Sequence, residues 1–108
     1  MNFREKFPGV IEAVATEFDC LPSELLAGGR LESLRLSEAR AVAAWMAYQT
    51  RKVSLPVLGR MLGMQYPATR ARVTVVARRR EREEQFRELC DRLVASVTPV
   101  SKKRSVSA

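Results

Sequence analysis

The sequence predicts an all-α fold of about six helices, and three observations carry that reading. Apolar residues recur at three- and four-residue spacing in most segments, the period of a helix with one buried face. Prolines and glycines stand where such segments open and close. No strand is predicted, because the one β-branched run, Val73-Thr74-Val75-Val76, lies inside a helical context. At 108 residues the chain is expected to form one domain over residues 1–98. Residues 99–108, opened by Pro99, read as a disordered basic tail rich in serine. With 46% apolar but only 6% aromatic residues, the core must be mostly aliphatic.

The elements follow in order. Pro8 suits the first turn of a helix reaching about Phe18, with Ile11, Val14 and Phe18 on its inner stripe. Pro22 opens a short helix closed by Gly28-Gly29, from which Leu25 and Leu26 point inward. The connector that follows carries Arg30, Arg35 and Arg40 at five-residue intervals. Ser37 is the expected N-cap of the next helix, with Glu38 in its positive first turn. That helix, Glu38 to about Thr50, is apolar on most sides and therefore central, with Ala39, Val42, Ala43, Trp45 and Met46 in the core. Ser54 is expected to cap a further helix with Pro56 in its first turn and Leu55, Leu58 and Leu62 facing inward. Gly63 stands where a C′ residue of positive φ belongs. A helix then begins at Tyr66 or Pro67 and runs through the arginine triplet. Phe86, Leu89, Cys90, Leu93, Val94 and Val97 form the stripe of a closing helix.

Charge and residue supply narrow the function. The net charge of +7 is uneven: residues 1–27 hold two basic and five acidic groups, residues 28–80 eleven and two, and residues 81–108 six and five. A basic middle of net +9 beside an acidic head of net −3 is the footprint of a polyanion-binding surface. There is no histidine, and only Cys20 and Cys90 are present, so no zinc site is expected and both thiols read as buried. Without histidine a serine or cysteine nucleophile lacks its commonest base. The expectation is a binding protein rather than an enzyme, without cofactor, metal or small-molecule substrate. No apolar run approaches the ~20 residues of a membrane span, and the start lacks the apolar core of a secretory signal. A soluble, cytoplasmic and nucleoid-associated protein is expected.

Glu24-Leu25-Leu26, Arg40, Ser54-Leu55-Pro56, Leu58-Gly59 and Leu62-Gly63, at their spacing, give the chain a recognisable pattern. Over residues 10 to 80 it resembles the C-terminal DNA-binding domain of the bacterial replication initiator DnaA. The resemblance implies a helix-turn-helix in the DnaA C-terminal, Trp-repressor-like class, with double-stranded DNA and replication proteins as partners. It also implies that the loop bearing Arg30 and Arg35 approaches the minor groove. The preceding loop is about two residues longer than the family pattern, and Glu32 dilutes its charge.

The family's base-reading signature, a basic residue followed by Asp-His-Thr-Thr, falls on Gln65, Tyr66, Pro67, Ala68 and Thr69, and only Thr69 matches. Ala68 offers at most an apolar contact to a thymine methyl, and Pro67 has no donor. Each good base contact is worth ~1–3 kcal/mol of discrimination, so the family's usual site should not be bound in the usual way. Gln65, Arg70 and Arg72 are the remaining candidates for readout, near the N-terminal part of the helix that would enter the groove. Arg30 and Arg35 in the loop, Arg51 and Lys52 before the first helix of the motif, and Arg70, Arg72, Arg78, Arg79 and Arg80 on the second are candidate phosphate contacts, and Ser54 is counted among the DNA-binding residues. With about six of these charges on phosphates, log affinity should fall with log salt at a slope near −5.

Blander accounts stand beside these. Arg78 to Glu84 mixes signs at helical spacing and reads as a solvated, ion-paired face rather than a base reader. Trp45 reads as core. Tyr66 can cap a helix, stack on a nucleotide or pack on a partner protein. Two functions follow: a DNA-binding module of altered or relaxed specificity acting in replication or transcription control, or a replication-control interaction module that kept the fold and lost specific readout.

Overall fold

The computed structural model describes residues 2–27 and 33–97, and these form seven helices with no strand among them. They are α1 (Phe3–Lys6), α2 (Val10–Phe18), α3 (Pro22–Ala27), α4 (Leu34–Gln49), α5 (Leu55–Met61), α6 (Tyr66–Arg82) and α7 (Glu84–Val97). The all-α expectation holds, with one helix more than the sequence suggested. The addition is α1, a single turn held by a reciprocal capping box. The Asn2 side chain accepts from the Glu5 amide at 2.9 Å while Glu5 Oε1 accepts from the Asn2 amide at 3.0 Å. This turn brings Phe3 and Phe7 into the core with ring centroids 4.9 Å apart. Pro8 accordingly lies in the turn before α2, which begins at Val10 behind Gly9, and not in the first helical turn.

Helix α4 is the centre, and α2, α3, α5, α6 and α7 all pack against it. Every residue from Ala39 to Ala47 is buried, because the run is apolar apart from Arg40 and its alanines let neighbouring helices come close. All five core positions expected on this helix are buried. Its start is a correction. Ser33, not Ser37, is the N-cap, with its hydroxyl accepting from the Leu36 amide at 3.0 Å. The extra turn is kept by tertiary contacts, since the Ser37 carbonyl accepts from Arg72 of α6 and Glu38 pairs with Arg79. Thr50 is the C-cap and not a helical residue.

The remaining stripes fall as expected. Ile11, Val14 and Phe18 of α2 are buried, as are Leu58 and Leu62 around α5. On α7, Phe86, Cys90 and Leu93 are buried, with Leu89, Val94 and Val97 packed at the edge. Each fully buried aliphatic side chain contributes roughly 1.5–3 kcal/mol of transfer free energy. The Val73–Val76 run is helical, inside α6. Gly28-Gly29, Arg30 and the expected tail 99–108 lie outside the described residues.

Candidate nucleic-acid interface

Helices α5 and α6 are joined by a short turn, residues 62–65, and the sequence explains its tightness. Gly63 has φ +69°, the left-handed conformation that an L side chain disfavours. The Met64 amide then donates back to the Gly59 carbonyl at 2.8 Å. Gly59 is itself a contact point. A Cβ there would lie 2.5 Å from Thr69 Oγ1 and 2.9 Å from the Met64 carbonyl oxygen, so only glycine permits this approach of α5 to α6.

That approach corrects one expectation. Thr69, the one position at which the sequence matches the signature it was compared with, is fully buried, and its hydroxyl donates to the Gln65 carbonyl at 2.9 Å. It faces α5 and offers nothing to a ligand on the surface. The side chain serves the helix pair.

A second buried polar group organises the same region. Arg40 is 3% exposed; its Nε donates to the Leu25 carbonyl at 3.1 Å, and Nη2 donates to the Leu62 carbonyl. These carbonyls belong to the last turn of α3 and the C-cap of α5, where helix carbonyls lack intrahelical partners and concentrate negative potential. One guanidinium therefore ties three helices and fixes the turn that leads into α6.

The expected site residues divide into separate groups. Arg51, Lys52, Ser54 and Tyr66 come together, lining with Tyr48, Val53, Leu55 and Pro56 an open cleft of about 540 Å³. Arg51 adopts a left-handed backbone, φ +60°, in the turn after α4. Its guanidinium lies 5.0 Å from the Tyr48 ring centroid, with Nη1 donating to the Tyr48 hydroxyl at 3.3 Å. A non-glycine residue held this way carries strain on the order of 1 kcal/mol, which persists only where the surroundings impose it. Lys52 Nζ donates to the Lys6 carbonyl at 3.4 Å from an exposed position. Ser54 is the N-cap residue of α5 by backbone geometry, but its hydroxyl makes no capping hydrogen bond, contrary to expectation.

Beside this cleft stands the first turn of the 17-residue α6, with Pro67 in its first turn and Gln65, Tyr66, Pro67, Ala68 and Arg70 all exposed. Arg70, four residues after Tyr66, lies on the cleft flank of the helix. Arg72 does not. At 100° per residue it stands about 200° around the helix from Arg70. There it is half-buried, with Nη1 donating to the Ser37 carbonyl of α4 at 3.4 Å. Arg35, expected in a loop, is an exposed residue of α4, and lines with Arg72 a different groove between α4 and α6.

The arginine triplet is also divided. Arg78 is exposed. Arg79 pairs with Glu38 and, at 3.0 Å, with Glu83, and stacks 4.0 Å from the Phe86 centroid. Burial alone would lower its pKa, but hydrogen bonds to Glu38 and Glu83 outweigh that and hold it above the ordinary value. Arg80 pairs with Asp91 and lies 4.6 Å from the buried Trp45 ring. Both half-buried guanidinia clamp α6 to α4 and α7, so this stretch is more than the solvated face expected from its mixed signs. No spacing in the sequence announces these clamps, since Glu38 and Arg79 are 41 residues apart.

No three of Cys, Asp and Glu among the described residues are grouped to hold a metal ion. Cys90 is fully buried, and burial pushes its thiol up to about 11; the half-buried Cys20 thiol is also raised, first by burial and then by Glu24 and Asp19. No helix among the described residues is long and apolar enough to cross a membrane. Compared with known proteins, the chain matches no protein-family model and no curated protein.

Proposed function

We propose that α5, its turn and α6 form a DNA-binding helix-turn-helix, with α6 as the recognition helix, acting in control of replication or transcription. One observation carries this reading. Arg51, Lys52, Ser54 and Tyr66 converge in a cleft beside the exposed first turn of α6, and Arg70 extends that flank. The cleft supplies cations and a hydroxyl for phosphate oxygens, and the α6 N-terminus adds free amides and a positive dipole end. Gln65 and Arg70 are the side chains with donors for base edges, and Tyr66 supplies a ring for a sugar or base face. The DnaA-like pattern of the sequence supports the same assignment.

Specificity is altered or relaxed in this reading, because Pro67 and Ala68 occupy positions where a base reader needs polar groups. The phosphate count is also smaller than the sequence alone suggests. Arg79 and Arg80 are committed to ion pairs and Arg72 to Ser37. Three cations remain on this flank, Arg51, Lys52 and Arg70, and a slope of log affinity against log salt of about −3 follows.

Salt-dependent anisotropy titration of labelled duplexes tests the proposal, with selection from a random duplex library run beside it. The expected result is duplex binding at low salt with the stated slope, weakened by Arg70→Ala. Absence of duplex binding at low salt overturns it. Binding without any enriched sequence reduces the protein to a phosphate reader.

A further inference from the structure

The opposite flank of α6 carries a feature the DNA reading does not use. A groove of about 630 Å³ runs between α4 and α6 and reaches Phe86 of α7, with Ala41, Val76 and Phe86 as its buried apolar lining. Its rim holds two large apolar residues that stand in water, Leu34 at 91% and Val75 at 59% exposure. The charged residues lining it are Arg35, Arg72, Arg79 and Glu38, three cations and one carboxylate that is itself paired to Arg79. A phosphate backbone gives no reason to leave leucine and valine exposed at such a site. A partner with an apolar side chain between carboxylates does.

The chain displays such a group itself. Leu21 is 63% exposed at the start of α3, between Asp19 and Glu24. Its backbone is held on both sides: its amide donates to Glu24 Oε1 at 2.8 Å, and its carbonyl accepts from the Glu24 amide at 2.9 Å. Docking therefore has only the side chain left to order. Knob and groove also lie on neighbouring elements. Helix α3 is tied to α4 by the Arg40–Leu25 hydrogen bond, and the Arg35 guanidinium is near enough to Cys20 to oppose in part the rise of its thiol pKa. A surface that contains both halves of a complementary contact can pair with its own copy about a two-fold axis, each half used twice.

We propose that this face is a homodimer interface. Leu21 of one copy seats between Leu34 and Val75 of the second, with Asp19 and Glu24 facing Arg35 and Arg72, and the reciprocal contact closes the pair. The charges balance, two carboxylates against the net two positive charges of the groove. This inference does not rest on the DNA reading. If both hold, a two-fold pair calls for an inverted-repeat target.

The test is sedimentation equilibrium of the full chain without DNA, at low and high salt, so its failure leaves the DNA reading untouched. The wild type is expected to dimerise with a constant in the range of about 1–100 μM, typical of a small interface, and to weaken as salt screens the carboxylate–arginine contacts. Leu34→Glu and Leu21→Glu, at exposed positions, should each weaken the dimer by at least about tenfold with circular dichroism and melting unchanged. Asp19→Lys and Arg35→Asp should each weaken it, and the double variant should recover part of the loss. A wild type that stays monomeric across that range overturns the proposal and leaves the groove to a different acidic partner. A dimer indifferent to Leu21 and Leu34 overturns it equally.

Discussion

The two flanks of α6 carry the same residue type and use it in opposite ways. On the cleft flank Arg70 stands exposed one helical turn after Tyr66, which lines the cleft with Arg51 and Lys52. On the groove flank Arg72 and Arg79 reach back to Ser37 and Glu38 of α4 and stiffen the bundle beneath an apolar rim. Two positions apart in sequence, Arg70 and Arg72 belong to different surfaces. An arginine count therefore measures the electrostatic potential around a helix, while the helical angle and the neighbouring helix decide which cations a polyanion meets.

Breaking both flanks at once should produce the largest effect. Arg40→Ala leaves the Leu25 and Leu62 carbonyls without their guanidinium and opens a cavity beneath the turn. A loss of about 2–5 kcal/mol is expected for two carbonyls left unsatisfied, seen in chemical denaturation. Gly59→Ala disturbs the cleft flank more selectively, since the new methyl must push against Thr69 and Met64. It should cost about 1–3 kcal/mol in the same measurement, and DNA affinity should fall more than stability does.

Single arginines then separate the flanks. Arg70→Ala should lower duplex affinity by roughly 1 kcal/mol and make the salt slope shallower by about one unit. Arg72→Ala should leave the slope nearly unchanged and show itself in thermal stability instead. Equal effects of both variants on the slope would erase the distinction between the flanks. Arg51→Gly is a finer probe, because glycine relieves the left-handed strain while removing a cation. Stability is expected to stay within about 0.5 kcal/mol of wild type while DNA binding weakens.

The Cys90 thiol gives the smallest effect, a pH dependence confined to alkaline solution. Its pKa is raised from 9.0 to about 11, so the folded state holds the proton more tightly than the unfolded chain. The stability it contributes is whole below pH 9.0 and is lost as pH rises toward about 11. Denaturation profiles of wild type and Cys90→Ala across that window should differ in slope, and should run parallel below it.

Much of the fold was legible because burial has a period. The stripes on α2 and α7, the largely apolar α4, Pro56 and Pro67 at helix starts and Gly63 at a helix end each follow from short-range geometry that the sequence writes directly. Helix α1 was legible in principle, since Asn2 and Glu5 stand three apart as a capping box requires. The choice between Ser33 and Ser37 was not. Both can cap, and the contacts of Ser37 and Glu38 with α6 favour the earlier start.

The candidate site divides along the same line. By its own pattern the sequence determined that the chain is helical, that its middle is basic, and that a glycine-tight turn joins α5 to α6. Tertiary structure alone decided which polar groups face water. Thr69 is turned inward by the approach of Gly59, Arg40 is drawn under three helices, and Arg79 and Arg80 are spent on Glu38 and Asp91. The physical reason is range. A helical stripe depends on neighbours three and four residues away, whereas the partner of a long guanidinium is whichever carbonyl, carboxylate or ring the packing of distant helices brings to its tip.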